Sequence, residues 1–127
     1  DTEVYHGYVN CGATGSITGI GSALPKEALL LTSLSKLAAA GHAEARCRAL
    51  ELEEAFSVLS SFDEEGELVL YYKHLLVLNG EEAYRLHFNE TDKLSEAQRK
   101  YCEQQYTLFQ TWFADWSKQG GIIAECI

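Results

Sequence analysis

The chain has 127 residues, of which 46% are hydrophobic and 23% charged, as is typical of one soluble globular domain. Its 19 acidic and 10 basic residues give a net charge of −9, which repels phosphate backbones and anionic lipid. We therefore expect no nucleic-acid partner and no membrane partner.

Two segments near the N-terminus have the composition of short strands. Residues 3–8 (EVYHGY) contain β-branched and aromatic residues around a glycine. Residues 15–20 (GSITGI) combine two isoleucines with small residues, and their glycines permit close approach of a ligand or of neighbouring backbone. The sequence thus predicts two β-strands, followed by a loop that ends before Pro25.

Apolar residues recur with helical spacing through most of the remaining chain. Ser95 with Gln98 three residues later forms the pattern of a capping box, and a polar break is predicted at residues 63–66. The predicted helices are residues 26–40, 42–62, 67–78, 81–86 and 95–118.

Three further expectations concern packing. The helix over residues 67–78 is apolar on nearly every side, which predicts a fully buried helix. The mostly apolar tail over residues 122–127 is expected to pack against the rest of the chain. In the helix over residues 42–62, two apolar patches are offset around the axis, and this predicts different neighbours at its two ends. The first patch is Ala43, Cys47 and Leu50, and the second is Ala55, Val58, Leu59 and Phe62.

Two features have both a chemical and a structural interpretation. The glycine-rich run over residues 15–21 precedes a helix, so its N–H groups could hold a carboxylate or phosphate, or it could be a tightly packed loop. Lys73 interrupts an apolar helix, where burial could make it a nucleophile. The alternative for Lys73 is pairing with a carboxylate, or extension of its amine to the surface.

The cysteines and histidines show no metal-ligand spacing, so no metal site is predicted. Of the four histidines, His6 at the end of a predicted strand is the most interesting, although a structural role is favoured. The four cysteines are interpreted as free thiols of a reducing, cytoplasmic compartment, with a disulfide pair as the alternative. They are Cys11, Cys47, Cys102 and Cys126.

Taken in order, these segments resemble the C-terminal part of the dihydrodipicolinate synthase / N-acetylneuraminate lyase family. Residues 4–8 resemble its seventh barrel strand, and residues 12–19 (GATGSITG) resemble its eighth strand and the approach to it. The resemblance covers nearly the whole chain. It continues in the helix from Pro25, residues 41–45 (GHAEA), Lys73 in its apolar helix, and Arg85 before the final helix.

The resemblance implies an α/β fold. Residues 1–41 would form the end of a (β/α)₈ TIM barrel, with its last two strands and a helix, and residues 42–127 would form C-terminal helices. It also implies a lyase of the aldolase or dehydratase type, whose lysine forms a Schiff base with a 2-oxo acid. Barrel enzymes place such chemistry at the C-terminal ends of their strands. The residues thus implied to line the substrate pocket are Gly7, Tyr8, Ile17, Thr18 and Gly19.

Two departures from the family qualify this expectation. The Schiff-base lysine belongs to the family's sixth strand and is expected before Asp1, so no catalytic residue is assigned in this chain. The stretch between Tyr8 and Gly12 is also too short for the helix of about two turns that the family places there. We therefore expect a fragment that is inactive alone. It would complete its site with an upstream barrel segment, without a cofactor, in a homo-oligomer. The alternative is a non-enzymatic helical module whose apolar faces bind a partner.

Overall fold

The computed structural model describes residues 3–63 and 66–127, and these residues contain helices and no β-strand. Short 3₁₀ turns lie at Ile20–Ser22, Ser61–Asp63, Glu82–Arg85 and Ser117–Gln119. The α-helices are α1 (Val4–Asn10), α2 (Pro25–Ala39), α3 (Ala43–Ser60), α4 (Leu68–Leu78), α5 (Glu96–Trp116) and α6 (Ile122–Cys126).

The prediction of two β-strands, and with it the α/β TIM-barrel fold class, is wrong. Most of the first predicted strand lies in α1, and the second is an irregular connection that ends in a 3₁₀ turn. Tyr5 and Tyr8, three residues apart in α1, are both buried where this helix packs against α2 and α3. A strand needs a partner for its backbone groups, whereas a helix bonds its own. The described chain offers no partner strand, so helix is the form that satisfies this backbone.

The later helices are confirmed close to their predicted bounds. The capping box of α5 is present: Gln98 N–H donates to Ser95 Oγ at 3.1 Å, and Ser95 N–H donates to Gln98 Oε1 at 2.8 Å. The short helix predicted over residues 81–86 is a 3₁₀ turn. The polar break predicted at residues 63–66 includes residues 64 and 65, which lie outside the described part of the chain.

A single hydrophobic cluster joins the two halves of the chain. α2 packs against α1, α3 and α6, while α5 packs against α3 and α4. Ile122 and Ile123 of α6 are buried in this cluster, which confirms that the apolar tail packs against the rest of the chain. Other fully buried side chains are Leu31, Leu34, Leu52, Phe62, Leu75 and Cys102.

Two packing expectations need correction. The first apolar patch predicted on α3 is exposed, because the buried stripe of this helix follows a different register there, whereas Leu59 and Phe62 of the second patch are buried. α4 is not fully buried, since Val69 is 69% exposed and Leu78 is 40% exposed. This helix packs against α5 and the turn Glu82–Arg85. The buried stripe of α3 is Ala45, Ala49, Leu52, Phe56 and Leu59, at the four-three-four-three spacing of a single helical face.

None of the helices in residues 3–63 and 66–127 combines the length and apolarity that crossing a membrane requires.

Candidate functional site

Two cavities adjoin where α1, the connection after it and α2 meet. The smaller has a volume of about 200 Å³ and lies between α1 and residues 13–17. The larger, which we call the α2 groove, has a volume of about 500 Å³ and follows one side of α2. The lining of the α2 groove includes Tyr8, Thr18, Ala28, Leu29, Thr32 and Lys36.

The structure brings four of the five predicted pocket residues to these cavities. Gly7, Tyr8 and Ile17 line the smaller cavity, while Tyr8 and Thr18 line the α2 groove. The side chain of Ile17 is fully exposed, so it forms only the rim. Gly19 lines neither cavity, because it faces the ring of Tyr72, which would lie 3.2 Å from a Cβ atom at this position. Substrate binding by these five residues stays a prediction.

Thr18 is fixed by a contact with Gly21. Gly21 N–H donates to Thr18 Oγ1 at 2.9 Å, and a Cβ atom on Gly21 would lie 2.8 Å from Thr18 Cγ2. Only glycine allows this close approach without a shift of the threonine. Because the Thr18 hydroxyl accepts this bond, its own proton is still available for donation to a ligand.

The polar side of the α2 groove comes from a helix face that the sequence analysis did not single out. Leu29, Thr32 and Lys36 lie on one side of α2, at spacings of three and four residues. Lys36 Nζ lies 6.0 Å from the centroid of the Tyr8 ring, an electrostatically favourable position for an ammonium group. The helical spacing of these residues was the signal that could have revealed them.

α1 is anchored by a carboxylate of α3. Tyr5 N–H donates to Glu53 Oε1 at 2.9 Å, at the N-terminal end of α1, where the helix dipole favours negative charge. Burial raises the pKa of Glu53, and backbone hydrogen bonds from Tyr5 and Val4 oppose this effect in part. Sequence inspection missed Glu53, because an acidic residue in a helix is ordinarily solvated.

Lys73 is held by neutral acceptors. Its amine donates to the carbonyl oxygen of Leu86 and to His87 Nδ1, the latter at 2.9 Å. The side chain is half-buried and lines neither cavity at α2. The described residues therefore give Lys73 no carboxylate partner and no place beside the predicted pocket.

The cysteines differ in their surroundings, and all four are free thiols. Cys11 is exposed, and its Sγ lies 3.4 Å from His6 Nε2, while the Asn10 amide lies 3.1 Å from His6 Nδ1. Burial, with the charge of Glu103 adding to it, raises the pKa of Cys102 to about 12, which makes it a poor nucleophile. Over residues 3–63 and 66–127, no three His, Cys, Asp or Glu side chains form a group that could hold a metal ion.

No protein-family model matches this chain, and no curated protein matches it. The resemblance to the dihydrodipicolinate synthase / N-acetylneuraminate lyase family therefore rests on the quoted segments and stays a prediction.

Proposed function

We propose that this chain contributes the α2 groove to a Schiff-base-forming lyase that acts on a small 2-oxo acid. The observation that carries the proposal is the lining of the groove. It combines the ammonium group of Lys36, the hydroxyl groups of Thr18 and Thr32, and apolar surface from Leu29, with no carboxylate among its described lining residues. A volume of about 500 Å³ leaves ample room for a small organic acid.

Each part of this lining suits one part of such a substrate. The ammonium group of Lys36 attracts a carboxylate, and the Thr18 hydroxyl can donate to a substrate oxygen. Leu29 and Ala28 offer apolar surface to a short carbon chain. In this proposal the residues of the chain bind and orient the substrate, and they form no covalent bond with it.

In this proposal, the covalent step uses a lysine amine that lies outside residues 1–127. That lysine attacks the 2-carbonyl carbon, and the carbonyl oxygen leaves as water. The protonated imine then accepts the electron pair of the bond between the carbons α and β to the carbonyl when that bond breaks. No cofactor is needed, since the imine is itself the electron sink.

Borohydride trapping with pyruvate tests the proposal on a protein that contains this chain and the residues before it. We expect one reduced adduct, which peptide mass spectrometry places on a lysine outside residues 1–127. Lys36→Met should raise the pyruvate concentration needed for half-maximal trapping about tenfold, the loss expected for one charged hydrogen bond. Lys26→Met, at an exposed position of the same helix outside the groove lining, is the matched control and should leave it unchanged. Absence of an adduct, or an adduct on Lys36, would contradict the proposal.

A non-enzymatic helical interaction module is the second candidate. It is favoured by three exposed side chains after α4, Tyr84, Leu86 and Phe88, of which Phe88 is fully exposed. Sedimentation analysis should then show self-association that Leu86→Ser with Phe88→Ser abolishes. This result, together with no borohydride adduct in a protein whose circular dichroism is helical, would favour the module over the lyase.

A further inference from the structure

A second cleft, which we call the α4–α5 cleft, lies between α4, the turn Glu82–Arg85 and the start of α5. Its volume is about 510 Å³. Its lining includes the permanent cations Arg85, Lys93 and Arg99 and a single carboxylate, Glu90. The chain as a whole has 19 acidic and 10 basic residues, so the charge of this cleft is opposite in sign to that of the protein. Such a local reversal of charge favours an anionic ligand.

The cations of the cleft differ in how far they are already engaged. Lys93 makes no ion pair or hydrogen bond with the described residues, and its side chain is exposed. Arg99 Nη1 donates to the carbonyl oxygen of Leu94 at 3.0 Å, which orients the guanidinium and leaves other N–H groups for a ligand. Arg85 pairs with Glu82, and both side chains are exposed. Lys93 and Arg99 are therefore the cations most available to an anion.

An imidazole adds a neutral donor to the same cleft. The ammonium group of Lys73 can only donate, so His87 Nδ1, 2.9 Å away, must accept, and the proton of the neutral ring lies on Nε2. Lys73 also donates to the carbonyl oxygen of Leu86. These two bonds hold residues 86 and 87 against α4, so this wall of the cleft is formed before any ligand arrives.

Apart from His74, whose Nε2 lies 3.2 Å from Glu103 Oε1, the remaining lining is mostly apolar. Leu70 and Val77 of α4, with Leu86 and the buried Leu94, surround the charged groups, and the half-exposed ring of Tyr84 lies at the edge. A free inorganic anion would leave this surface unused, whereas an organic anion with an apolar body would cover it. The lining therefore favours a ligand with one charged end and one apolar end.

We propose that the α4–α5 cleft binds a small phosphate ester with an apolar or aromatic body. A phosphate group offers three acceptor oxygens and up to two negative charges, which matches cations supplied by the loop before α5 and by α5 itself. A monocarboxylate carries one charge and would satisfy fewer of them. This proposal is independent of the lyase, because the cleft shares no residue with the α2 groove.

Calorimetric titration with phenyl phosphate and with inorganic phosphate, at constant ionic strength, tests the ligand class. We expect saturable binding of both anions, with phenyl phosphate bound about tenfold more tightly, because burial of the ring adds apolar contact. Equal affinity for the two anions would overturn the assignment of an ester. No saturable binding of phenyl phosphate would overturn the site itself.

Two charge-matched variants test the location of the site. Lys93→Gln should weaken phenyl phosphate binding about tenfold through the loss of a charged hydrogen bond. Lys118→Gln removes the same charge from an exposed residue after α5, whose Nζ lies 4.0 Å from Asp115 Oδ1. This variant should leave the affinity unchanged. Equal weakening by both variants would show a general charge effect and overturn the site. Arg99→Lys, which keeps the charge but loses the planar guanidinium, should also weaken binding. Unchanged affinity in that variant would overturn the role of Arg99.

Discussion

The N-terminal segment, residues 3–24, and α5 are held in place by different forces. α5 has 21 residues and a capping box, and its Phe109 stacks on Phe56 of α3 with ring centroids 5.3 Å apart. α1 has 7 residues, too few for a helix that is stable on its own. It is held by the burial of Tyr5 and Tyr8 and by one carboxylate of α3. Local signals therefore define α5, whereas contacts with distant residues define the N-terminal segment.

The two candidate sites differ in the same way, because one depends on the N-terminal segment and the other on α4 and α5. The α2 groove takes Tyr8 and Thr18 from the N-terminal segment, so its shape depends on the anchoring of α1. The α4–α5 cleft is bounded by α4 and α5, which share the hydrophobic core, and Lys73 ties its outer wall to α4. Changes that release α1 should therefore affect the α2 groove before they affect the α4–α5 cleft.

Loss of a core ring in α5 should have the largest effect on stability. Phe109 is 2% exposed and stacks on both Phe56 and Phe113, so Phe109→Ala leaves a cavity among these rings. We expect the free energy of unfolding to fall by about 3–5 kcal/mol in urea titrations. Leu108→Ala, at the neighbouring position that is 59% exposed, should change it by less than about 0.5 kcal/mol. Similar losses in both variants would refute the assigned register of α5.

Removal of the capping hydroxyl should have an intermediate effect. Ser95→Ala leaves Gln98 N–H without the oxygen that accepts its hydrogen bond at 3.1 Å. We expect a loss of about 1 kcal/mol in the free energy of unfolding. Ser117→Ala, at the C-terminal end of α5, removes a hydroxyl that donates to the Ala114 carbonyl at 3.3 Å, and it is the control with the smaller expected loss. If Ser117→Ala costs more than Ser95→Ala, the cap is not what fixes the start of α5.

The fold could be predicted from the sequence where local signals were sufficient. The capping box of α5 identifies where that helix begins, and the apolar stripes of α2 and α5 identify their buried faces without knowledge of any partner. α1 could not be identified in this way, because its valines and tyrosines favour strands, and Tyr5 and Tyr8 fit a short helix only once α2 and α3 cover them. In α3, the buried stripe begins with Ala45 and Ala49, and the sequence pattern alone did not distinguish these alanines from the exposed Ala43.

The candidate site could be predicted only in part, for a related reason. The resemblance pointed to Gly7, Tyr8, Ile17, Thr18 and Gly19. The structure places the first four along two adjoining cavities even though the predicted strands are absent, whereas Gly19 faces the Tyr72 ring. Lys36 joins them only because α2 packs beside α1, and that packing requires the three-dimensional arrangement. Glycine spacing can indicate that a backbone is approached closely, but it cannot say which side chain approaches it.

Replacement of Glu53, which contacts α1, should have the smallest effect on the free energy of unfolding, and the size of this effect depends on the pH. Burial raises the pKa of Glu53, so the folded protein holds that proton more tightly than the unfolded chain. This contribution to stability is present below the ordinary pKa of a glutamate and is lost as the pH rises through the raised value. Glu53→Gln keeps an oxygen that can accept from Tyr5 N–H but has no proton to lose.

We therefore expect the free energy of unfolding of the Glu53→Gln variant, relative to the unsubstituted protein, to increase between about pH 4 and about pH 7. Urea titrations across this range measure the difference, and hydrogen exchange of the α1 amides shows whether it arises at that helix. Glu54→Gln, at the exposed neighbouring position, is the matched control and should give a smaller change. If the pH dependence of the Glu53→Gln variant runs parallel to that of the unsubstituted protein, the folded protein does not raise the pKa of Glu53, and the expected excess of desolvation over hydrogen bonding at this carboxyl group is refuted.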